Sequence, residues 1–485
     1  MRLNKITEGL DILEKIGREE ESVEIGGICF DSRCCNKGDL FVAQRGVSSD
    51  GHNYISAAVR CGASAVLCEE IPEGMSDGVF IKVADTHSAL GIASSIFYGK
   101  PSEKMKVVGI TGTNGKTTTA TLLYRLFSAL GYKCGLISTI VNYVSDKEIA
   151  ASHTTPDPVQ LNRLMAEMAD IGCEYCFMEV SSHSLDQKRV AGINFAGGIF
   201  SNITHDHLDY HKTFAEYIRV KKSFFDNLQK GSFALTNIDD KNGMVMLQNT
   251  PAAKYRYSCQ SPADFNCKVM EKSLDGMLLN IGGKEVWTRF IGAHNAYNLL
   301  SVYSAALLLN ADEEEVLVEL SKLSTVAGRL EYVKGGDDIT AVVDYAHTPD
   351  ALENVLKTLK DSADGKDIIT VFGCGGNRDK TKRPEMAEVS VKYSDRIVVT
   401  SDNPRFEEPE AIIEDIKRGF KPSDMKRTLF ITDRREAIRA AIMMASAGSI
   451  VLVAGKGHEN YQDVKGVKHH FDDKEEILKI FSLNR

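Results

Sequence analysis

The sequence predicts an α/β protein whose main sheet is parallel and doubly wound. A short β-branched strand pattern at 107–111 leads into a glycine-rich turn, and helical spacing follows from 120 to 130. Near-continuous apolar runs of strand length recur in the last third of the chain, with helical stretches between them, as buried parallel strands do. With 485 residues the chain is too long for one core, so we expect about three domains.

Changes in pattern along the chain place the expected domain boundaries. Residues 1–104 alternate short apolar runs with helical stretches and are predicted to form a small α/β domain that ends in a polar linker. Residues 105–331 contain the glycine-rich turn and alternate strands with helices, which favours a parallel sheet. Residues 332–485 are predicted to form a third α/β domain. Its apolar strands are expected at 340–344, 368–372, 397–400 and 450–454.

Composition and charge exclude several classes of protein. Hydrophobic residues make up 43% of the chain and charged residues 26%, which is ordinary for a soluble globular protein. The net charge of -9 argues against a nucleic-acid-binding protein. No basic-then-apolar leader and no membrane-length apolar stretch is present, so we expect a cytoplasmic protein without membrane insertion. The eleven cysteines are scattered and include Cys29 and Cys68 in apolar stretches, which indicates reduced core thiols.

The glycine-rich turn is the predicted phosphate site. Glycines at 112 and 115 allow the backbone N–H groups of the turn to converge on phosphate oxygens at the positive end of the following helix. Lys116 adds a point charge, and Thr117 offers a hydroxyl to Mg²⁺. The commonest form of this motif has a glycine where this chain has Ile110, and a turn that only links strand to helix is the alternative. The expected nucleoside triphosphate contacts are Thr111, Gly112, Thr113, Asn114, Gly115, Lys116 and Thr117.

Two later segments carry candidate ligands for a cation. Glu179 ends a predicted strand at the edge where an α/β sheet presents side chains to its ligand, so its carboxylate suits Mg²⁺. A surface glutamate that caps a strand end is the alternative. The stretch 205–211 holds three histidines and two aspartates, which would also suit zinc, but magnesium chemistry fits better beside a nucleotide loop. A solvated polar loop remains an alternative there.

Lys221 lies on the apolar side of a predicted helix that starts with a capping box, Thr213 and Glu216. The helical register puts Lys221 on the apolar stripe and Lys222 on the polar face. Burial disfavours an ammonium group and shifts it toward the neutral amine, which is nucleophilic toward CO₂. A lysine that extends past its neighbours to reach solvent is the alternative.

The turn Thr-Gly-Thr-Asn-Gly-Lys-Thr at 111–117 resembles that of the Mur ligase family, ATP-dependent amide-forming enzymes of peptidoglycan synthesis. The resemblance covers nearly the whole chain in the right order. It implies the three-domain architecture of the family, with a central P-loop domain and a C-terminal Rossmann-like domain, and it implies ATP and Mg²⁺ as cofactors. The stretch 206–211 and its Tyr-x-x-x-Lys helix are similar to the family segment in which a lysine carbamate and a histidine organise a second Mg²⁺. The implied catalytic residues are Lys116, His207 and Lys221.

Other stretches resemble segments of the family that hold the nucleotide and the UDP-linked substrate. The further nucleotide contacts implied in this way are Asn295 and Arg329. The Asp-Ser-Arg stretch at 31–33 implies a uridine-side contact for Ser32. The residues implied for the UDP-sugar-dipeptide are Ser32, Thr154, Thr155, Ser181, Gln187 and Arg189.

The clue to the amino acid is the stretch 402–405 at the end of a predicted strand. The guanidinium of Arg405 can grip a carboxylate at two points, Arg378 can join it, and Glu459 would complement an ammonium group. In the family, Asp-Asn-Pro-Arg accompanies meso-diaminopimelate, whereas lysine-adding relatives lack this arginine. An arginine that only holds its own loop is the alternative. The implied amino-acid site is Arg378, Asp402, Asn403, Pro404, Arg405, Gly455 and Glu459.

Taken together, the resemblance implies an ATP-dependent ligase that adds meso-2,6-diaminopimelate to UDP-N-acetylmuramoyl-L-alanyl-D-glutamate through an acyl phosphate. A lysine-adding or folylpolyglutamate-synthetase-like ligase is the alternative within the same fold. From another class, a P-loop nucleotide-hydrolysing switch remains open, because the phosphate turn alone also suits that task.

Overall fold

Three main sheets, one in each segment of the chain, organise the fold. The computed structural model describes residues 1–46, 49–74, 78–204, 206, 208–273, 275–363 and 365–483. The predicted α/β class with parallel sheets is confirmed. In the described part of the chain, no helix combines the length and the apolar character that a membrane span requires.

The N-terminal segment forms a five-stranded sheet. Its strands are β1 (Ile12–Ile16), β2 (Gly27–Cys29), β3 (Asp39–Val42), β4 (Ala65–Cys68) and β5 (Phe80–Val83), and its helices are α1 (Leu3–Thr7), α2 (Ile55–Arg60) and α3 (Thr86–Phe97). The order is β1-β5-β4-β3-β2, with β1 antiparallel to β5 and the other pairs parallel. Neighbouring residues Leu40 and Phe41 face two different apolar clusters, so β3 is buried on both faces.

The central segment forms an eleven-stranded sheet. Its strands are β6 (Lys106–Thr111), β7 (Cys134–Ile137), β8 (Val141–Val144), β9 (Lys147–Ala150), β10 (Tyr175–Glu179), β11 (Phe195–Phe200), β12 (Phe233–Asn237), β13 (Ala253–Ser258), β14 (Phe265–Ser273), β15 (Gly276–Ile281) and β16 (Lys284–Thr288). Its helices are α4 (Lys116–Ala129), α5 (Pro158–Asp170), α6 (Ser182–Asp186), α7 (Leu208–His211), α8 (Phe214–Asp226), α9 (Gly243–Met246), α10 (Ala293–Leu308) and α11 (Glu313–Lys322).

The order of this sheet places the phosphate turn at its middle. The order is β16-β15-β14-β13-β12-β11-β6-β10-β7-β8-β9, and the pairs from β14 to β7 are parallel while the two edges are antiparallel. Strand β6 therefore lies between β10 and β11. The turn after β6 and Glu179 at the end of β10 emerge at the same edge of the sheet, where ligands of open α/β sheets bind.

The C-terminal segment forms a six-stranded sheet and a small hairpin. Its strands are β17 (Glu331–Lys334), β18 (Thr340–Asp344), β19 (Ile368–Phe372), β20 (Arg396–Val399), β21 (Thr428–Phe430), β22 (Ile450–Ala454), β23 (Tyr461–Val464) and β24 (Val467–His470), and its helices are α12 (Pro349–Ser362), α13 (Lys382–Tyr393), α14 (Pro409–Lys417), α15 (Arg434–Met443) and α16 (Asp473–Leu483).

The predicted apolar strands of the last third form this sheet, with one shifted by a single residue to Arg396–Val399. The sheet order is β17-β18-β22-β19-β20-β21, in which β17 is antiparallel to β18. The ends of β19, β20 and β22 meet at one edge, so the segments that follow them, at 373–378, 401–405 and 455–459, are brought together.

Candidate functional site

The phosphate turn has the predicted strand–turn–helix form, between β6 and α4. Two features require glycine at positions 112 and 115. The first is the positive φ angle, which is 153° at Gly112 and 88° at Gly115, and the second is the close approach of neighbouring side chains. A Cβ at Gly112 would lie 2.0 Å from Ser201 Oγ, and a Cβ at Gly115 would lie 2.5 Å from Asn298 Oδ1. Only glycine fits these two positions without a shift of the surrounding structure.

A matched pair of glycine substitutions tests this turn. Gly131, which follows α4, has φ of 91°, and a Cβ there would meet nothing within 4 Å. We expect Gly115→Ala and Gly131→Ala each to lower the free energy of unfolding by about 1–2 kcal/mol through the left-handed backbone. Only Gly115→Ala should also weaken nucleotide binding, because its methyl group pushes on Asn298.

Thermal unfolding and nucleotide titration of both variants separate the two effects. Equal nucleotide affinity in the two variants would contradict the expected role of the turn.

Lys116 begins α4 with its amine folded over the turn. Its Nζ donates hydrogen bonds to the carbonyl oxygens of Gly112 and Thr113, both at 2.9 Å. Burial lowers the pKa of the Lys116 amine, while the nearby carboxylate of Glu179 opposes that change. The Lys116 amine therefore lies inside the turn where a phosphate group is expected.

Thr117 and Glu179, both predicted to hold a cation, are in direct contact. Thr117 Oγ1 donates to Glu179 Oε2 at 3.0 Å, and the backbone N–H of Thr139 donates to Glu179 Oε1 at 2.7 Å. The Glu179 side chain is fully buried, and Arg329 Nη2 donates to Thr117 Oγ1 at 3.3 Å. An adjacent hydroxyl and carboxylate suit Mg²⁺, which prefers oxygen ligands. His207, the third residue predicted here, lies outside the described residues.

Lys221 is buried on α8, as its helical register predicts. The helix is capped by Thr213, and Lys221 is 1% exposed, whereas Lys222 is partly buried and pairs with Asp226. Lys221 Nζ donates to Gly112 O at 2.9 Å and lies 4.8 Å from the centre of the Tyr217 ring. Burial, with a smaller contribution from the Lys116 charge, lowers the pKa of Lys221 well below its usual value.

Five of the residues predicted for the UDP-linked substrate form one hydrogen-bond network that begins at Glu179. Thr155 Oγ1 donates to Glu179 O at 2.8 Å and accepts from the backbone N–H of Ser181 at 3.2 Å. Arg189 Nη1 donates to Thr155 O at 2.8 Å, and Arg189 Nη2 donates to Gln187 Oε1 at 2.7 Å.

Thr154 joins this network through Thr139, whose Oγ1 donates to Thr154 Oγ1 at 3.0 Å. Ser32 lies in the short 3-10 helix Ser32–Cys34 of the N-terminal segment, and within the described residues it is not part of this network.

Asn295 is separated from the phosphate turn by the side chain of Asn298. Asn298 Nδ2 donates to Asn295 Oδ1 at 3.1 Å, and Asn298 is the residue that a Cβ at Gly115 would meet. Arg329 stacks over the ring of Tyr345, with its guanidinium carbon 4.8 Å from the ring centre. Of the two predicted nucleotide residues, Arg329 thus contacts the turn directly through Thr117, whereas Asn295 contacts Asn298, which lies beside Gly115.

A second cluster lies at the edge of the C-terminal sheet. Asp402 and Asn403 are 5% and 3% exposed, and Asn403 Nδ2 donates to Glu459 Oε2 at 2.7 Å. A Cβ at Gly455 would lie 2.7 Å from Asp402 Oδ2, so a glycine is needed beside that carboxylate. Burial raises the pKa of Glu459, and the charge of Asp402 adds to this effect.

Arg405 and Arg378 both lie close to Gly375. A Cβ at Gly375 would lie 2.9 Å from Arg405 Nη1 and 3.9 Å from Arg378 Cγ. Arg405 has a left-handed φ of 52°, and its backbone N–H donates to Asp463 O at 3.0 Å. Its Nη1 donates to Gly376 O at 2.9 Å, so part of the guanidinium holds a neighbouring loop. Pro404 is buried, while Arg378 is exposed.

Two residues of these clusters were given no role by the sequence reasoning. Lys456 is fully buried, and its Nζ donates to Asn403 Oδ1 at 3.2 Å. Asp350 on α12 accepts hydrogen bonds at its Oδ2 from Asn114 Nδ2 at 2.9 Å and from Thr204 Oγ1 at 3.1 Å. The signal for Lys456 was its place between Gly455 and Glu459, but Asp350 carried no comparable signal.

Three family models match successive parts of the chain. They are the Mur ligase family catalytic domain at 24–98, the Mur ligase middle domain at 110–306 and the Mur ligase glutamate ligase domain at 328–457. A curated relative from Bacteroides fragilis is 56% identical over 485 residues, which is 100% of each chain. A relative from Phocaeicola vulgatus is 55% identical over 484 residues, 99% of this chain and 100% of the relative. Both carry the name UDP-N-acetylmuramoyl-L-alanyl-D-glutamate--2,6-diaminopimelate ligase.

Solved structures agree with these matches. A structure of UDP-N-acetylmuramoyl-L-alanyl-D-glutamate--2,6-diaminopimelate ligase is 32% identical, with a TM-score of 0.71, and the match covers 100% of this chain and 99% of the other. A folylpolyglutamate synthase from Mycobacterium tuberculosis, complexed with ADP and AMPPCP, is 18% identical, with a TM-score of 0.60 over 76% of this chain and 93% of the other. At that identity the second similarity shows the fold alone.

Proposed function

The chain belongs to the Mur ligase family, and from this premise we propose that it adds meso-2,6-diaminopimelate to UDP-N-acetylmuramoyl-L-alanyl-D-glutamate at the expense of ATP. The observation that carries the choice of amino acid is the cluster at the edge of the C-terminal sheet. It places Arg378 and Arg405 around one glycine, with the carboxylates of Asp402 and Glu459 on the segments beside them. An amino acid with a second amino-carboxylate centre matches both kinds of charge. The names of relatives that are 53–56% identical support the same substrates.

We propose the domain boundaries 1–104, 105–331 and 332–485. Each of these ranges contains one of the three main sheets, except that Glu331, the first residue of β17, falls in the second range. The three matched family models follow the same order along the chain.

The proposed reaction has two steps. The terminal carboxylate of the dipeptide attacks the γ-phosphate of ATP, which gives an acyl phosphate and ADP. The amine of the incoming amino acid then attacks the acyl carbon, and phosphate leaves as the amide forms and the nitrogen loses its proton. In this scheme Lys116 stabilises the charge of the transferring phosphoryl group, because electrostatic stabilisation is the main task in such a reaction.

The donor set supports two Mg²⁺ positions next to the turn. Thr117 and Glu179 would hold the first ion through a hydroxyl and a carboxylate. His207 and Lys221, the latter as its carbamate, would hold the second. Mg²⁺ at these places would neutralise negative charge on the phosphate oxygens. The buried amine of Lys221 is the group that would add CO₂ to become that carbamate, with loss of one proton.

The substrate residues divide between two ends of the proposed cleft. We assign the UDP-sugar-dipeptide to Ser32, Thr154, Thr155, Ser181, Gln187 and Arg189. Except for Ser32, these residues share the hydrogen-bond network that ends on Glu179, which supports a dipeptide carboxylate close to the phosphate turn. We assign the distal carboxylate of the amino acid to Arg378 and Arg405, and its ammonium group to Asp402 and Glu459.

Phosphate release by the purified protein tests the proposal. We expect release from ATP only when the UDP-linked dipeptide and diaminopimelate are both present, and much less when L-lysine replaces diaminopimelate. Release that needs neither substrate would favour a nucleotide-hydrolysing switch. Equal turnover with lysine would contradict the proposed amino acid.

Replacing Arg405 tests the amino-acid site directly. We expect Arg405→Lys to raise the KM for diaminopimelate on the order of 100-fold, because a lysine keeps the charge but loses the two-point contact with a carboxylate. The KM for ATP should stay close to its original value. Arg418→Ala is the matched control, since Arg418 pairs with Asp415 at the surface of the same domain. An unchanged KM for diaminopimelate in Arg405→Lys would remove Arg405 from the site.

A further inference from the structure

Two cysteines and an aspartate meet at the edge of the N-terminal sheet. Cys29 ends β2, Asp39 begins the adjacent strand β3, and Cys35 follows the 3-10 helix Ser32–Cys34 between them. The sulfur atoms of Cys29 and Cys35 and a carboxylate oxygen of Asp39 all lie within 4.8 Å of one another. Both cysteines are free thiols.

The local fold brings these three side chains together. Asp31 caps the 3-10 helix by accepting from the backbone N–H of Arg33, and this tight turn returns Cys35 to Cys29. Asp39 is held by the backbone N–H of Asn36, which donates to its Oδ2 at 2.8 Å. A Cβ at Gly27 would lie 2.6 Å from Asp39 Oδ1, so the glycine in β2 leaves the room that this carboxylate occupies.

The three groups have the chemistry of a thiophilic metal site. Thiolate sulfur and carboxylate oxygen are ordinary zinc ligands, and ligand atoms around a tetrahedral zinc ion lie about 3.5–4 Å apart. The limit of 4.8 Å within which the three atoms lie is slightly above that spacing. Cys29 and Asp39 are each 7% exposed, whereas Cys35 is partly exposed and leaves an entry path for an ion.

The charges also favour a cation at this place. The carboxylate of Asp39 lies within 4.8 Å of both sulfur atoms. A divalent cation that replaces the two thiol protons would compensate the negative charges that otherwise crowd together. Within the described ranges, this is the one group of three such side chains with ligand atoms so close.

We propose that Cys29, Cys35 and Asp39 bind a thiophilic divalent cation of the zinc class, with solvent in the fourth position. Binding forms two metal–sulfur bonds and one metal–oxygen bond and releases the two thiol protons. The ion would connect Cys29 and Cys35, which flank the turn 30–34, and would so hold the turn that contains Ser32. This site goes beyond the proposed ligase reaction, since it lies apart from the phosphate turn.

Cobalt titration of the full-length protein under reducing conditions tests this site. We expect one equivalent of Co²⁺ to produce a thiolate-to-cobalt charge-transfer band in the near ultraviolet, which one equivalent of Zn²⁺ removes. Cys29→Ser and Cys35→Ser should each lose the band. The affinity of each variant for Co²⁺ should fall by more than about 100-fold. That exceeds the loss seen when a residue that only hydrogen-bonds to a metal ligand is replaced. Absence of the band in the unmodified protein would overturn the proposal.

Two control variants keep the result specific. Cys34→Ser changes an exposed cysteine of the same turn, and Cys267→Ser changes a buried cysteine of the central segment. Both should retain the band, and a band that survives in Cys29→Ser and in Cys35→Ser would place the ion elsewhere. Thermal unfolding of each metal-free variant shows whether it is folded. Because cobalt absorption does not depend on turnover, failure of the ligase proposal would leave this result unaffected.

Discussion

Replacing Lys221 with alanine is expected to abolish ligase turnover while leaving the protein folded. The side chain is 1% exposed, and its amine donates to the carbonyl oxygen of Gly112 inside the phosphate turn. Its lowered pKa makes the neutral amine available to CO₂. If the carbamate is the active form, the alanine variant loses a negatively charged ligand for the cation.

Chemical rescue distinguishes this role from simple packing. A short carboxylic acid such as acetate, added to Lys221→Ala, should partly restore phosphate release, because it supplies the missing carboxylate in the space left by the side chain. Lys222→Ala is the matched control, since Lys222 pairs with Asp226 on the same helix, and this variant should keep its turnover without added acid. Full turnover in Lys221→Ala without added acid would end the carbamate hypothesis.

The second large effect is expected from Lys116→Ala. We expect kcat to fall on the order of 1,000-fold or more, because in the proposed reaction the Lys116 amine stabilises the charge of the transferring phosphoryl group. The two hydrogen bonds to the turn carbonyls are also lost, so the KM for ATP should rise. Steady-state phosphate release at several ATP concentrations separates these two effects.

The control for this variant lies at the other end of the same strand. Lys106 begins β6, is exposed, and lies 5.4 Å from the centre of the Tyr175 ring. Lys106→Ala should leave kcat unchanged, since the phosphate turn is at the far end of β6. A similar loss of kcat in both variants would mean that the effect comes from strand β6 and not from the charge of Lys116.

Features that depend on neighbours in sequence could be predicted. The phosphate turn was recognisable because its strand, its glycines and its helix are continuous in the chain. The burial of Lys221 followed from the register of one helix, which places Lys221 on the apolar stripe with Tyr217, Phe224 and Phe225. The apolar strands of the C-terminal segment were recognisable because parallel strands are buried on both faces.

Features that depend on distant parts of the chain could not be predicted in the same way. Asp350 and Asn114 are 236 residues apart in sequence, so no local sequence pattern predicts their hydrogen bond. The place of β6 between β10 and β11 is decided by pairing and packing across the whole central sheet. Lys456 lies inside a recognised stretch, but its burial against Asn403 depends on the end of another strand.

The carboxylate of Asp350 links the C-terminal segment to the phosphate turn. It belongs to the first turn of α12, in the C-terminal segment, yet it holds Asn114 and Thr204 of the central segment. If α12 moved away from the central segment, both hydrogen bonds would break. The amide of Asn114 would then lose the carboxylate that orients it. We therefore expect the position of the C-terminal segment and the orientation of Asn114 to change together, so that one side chain links the conformation of that segment to that of the phosphate turn.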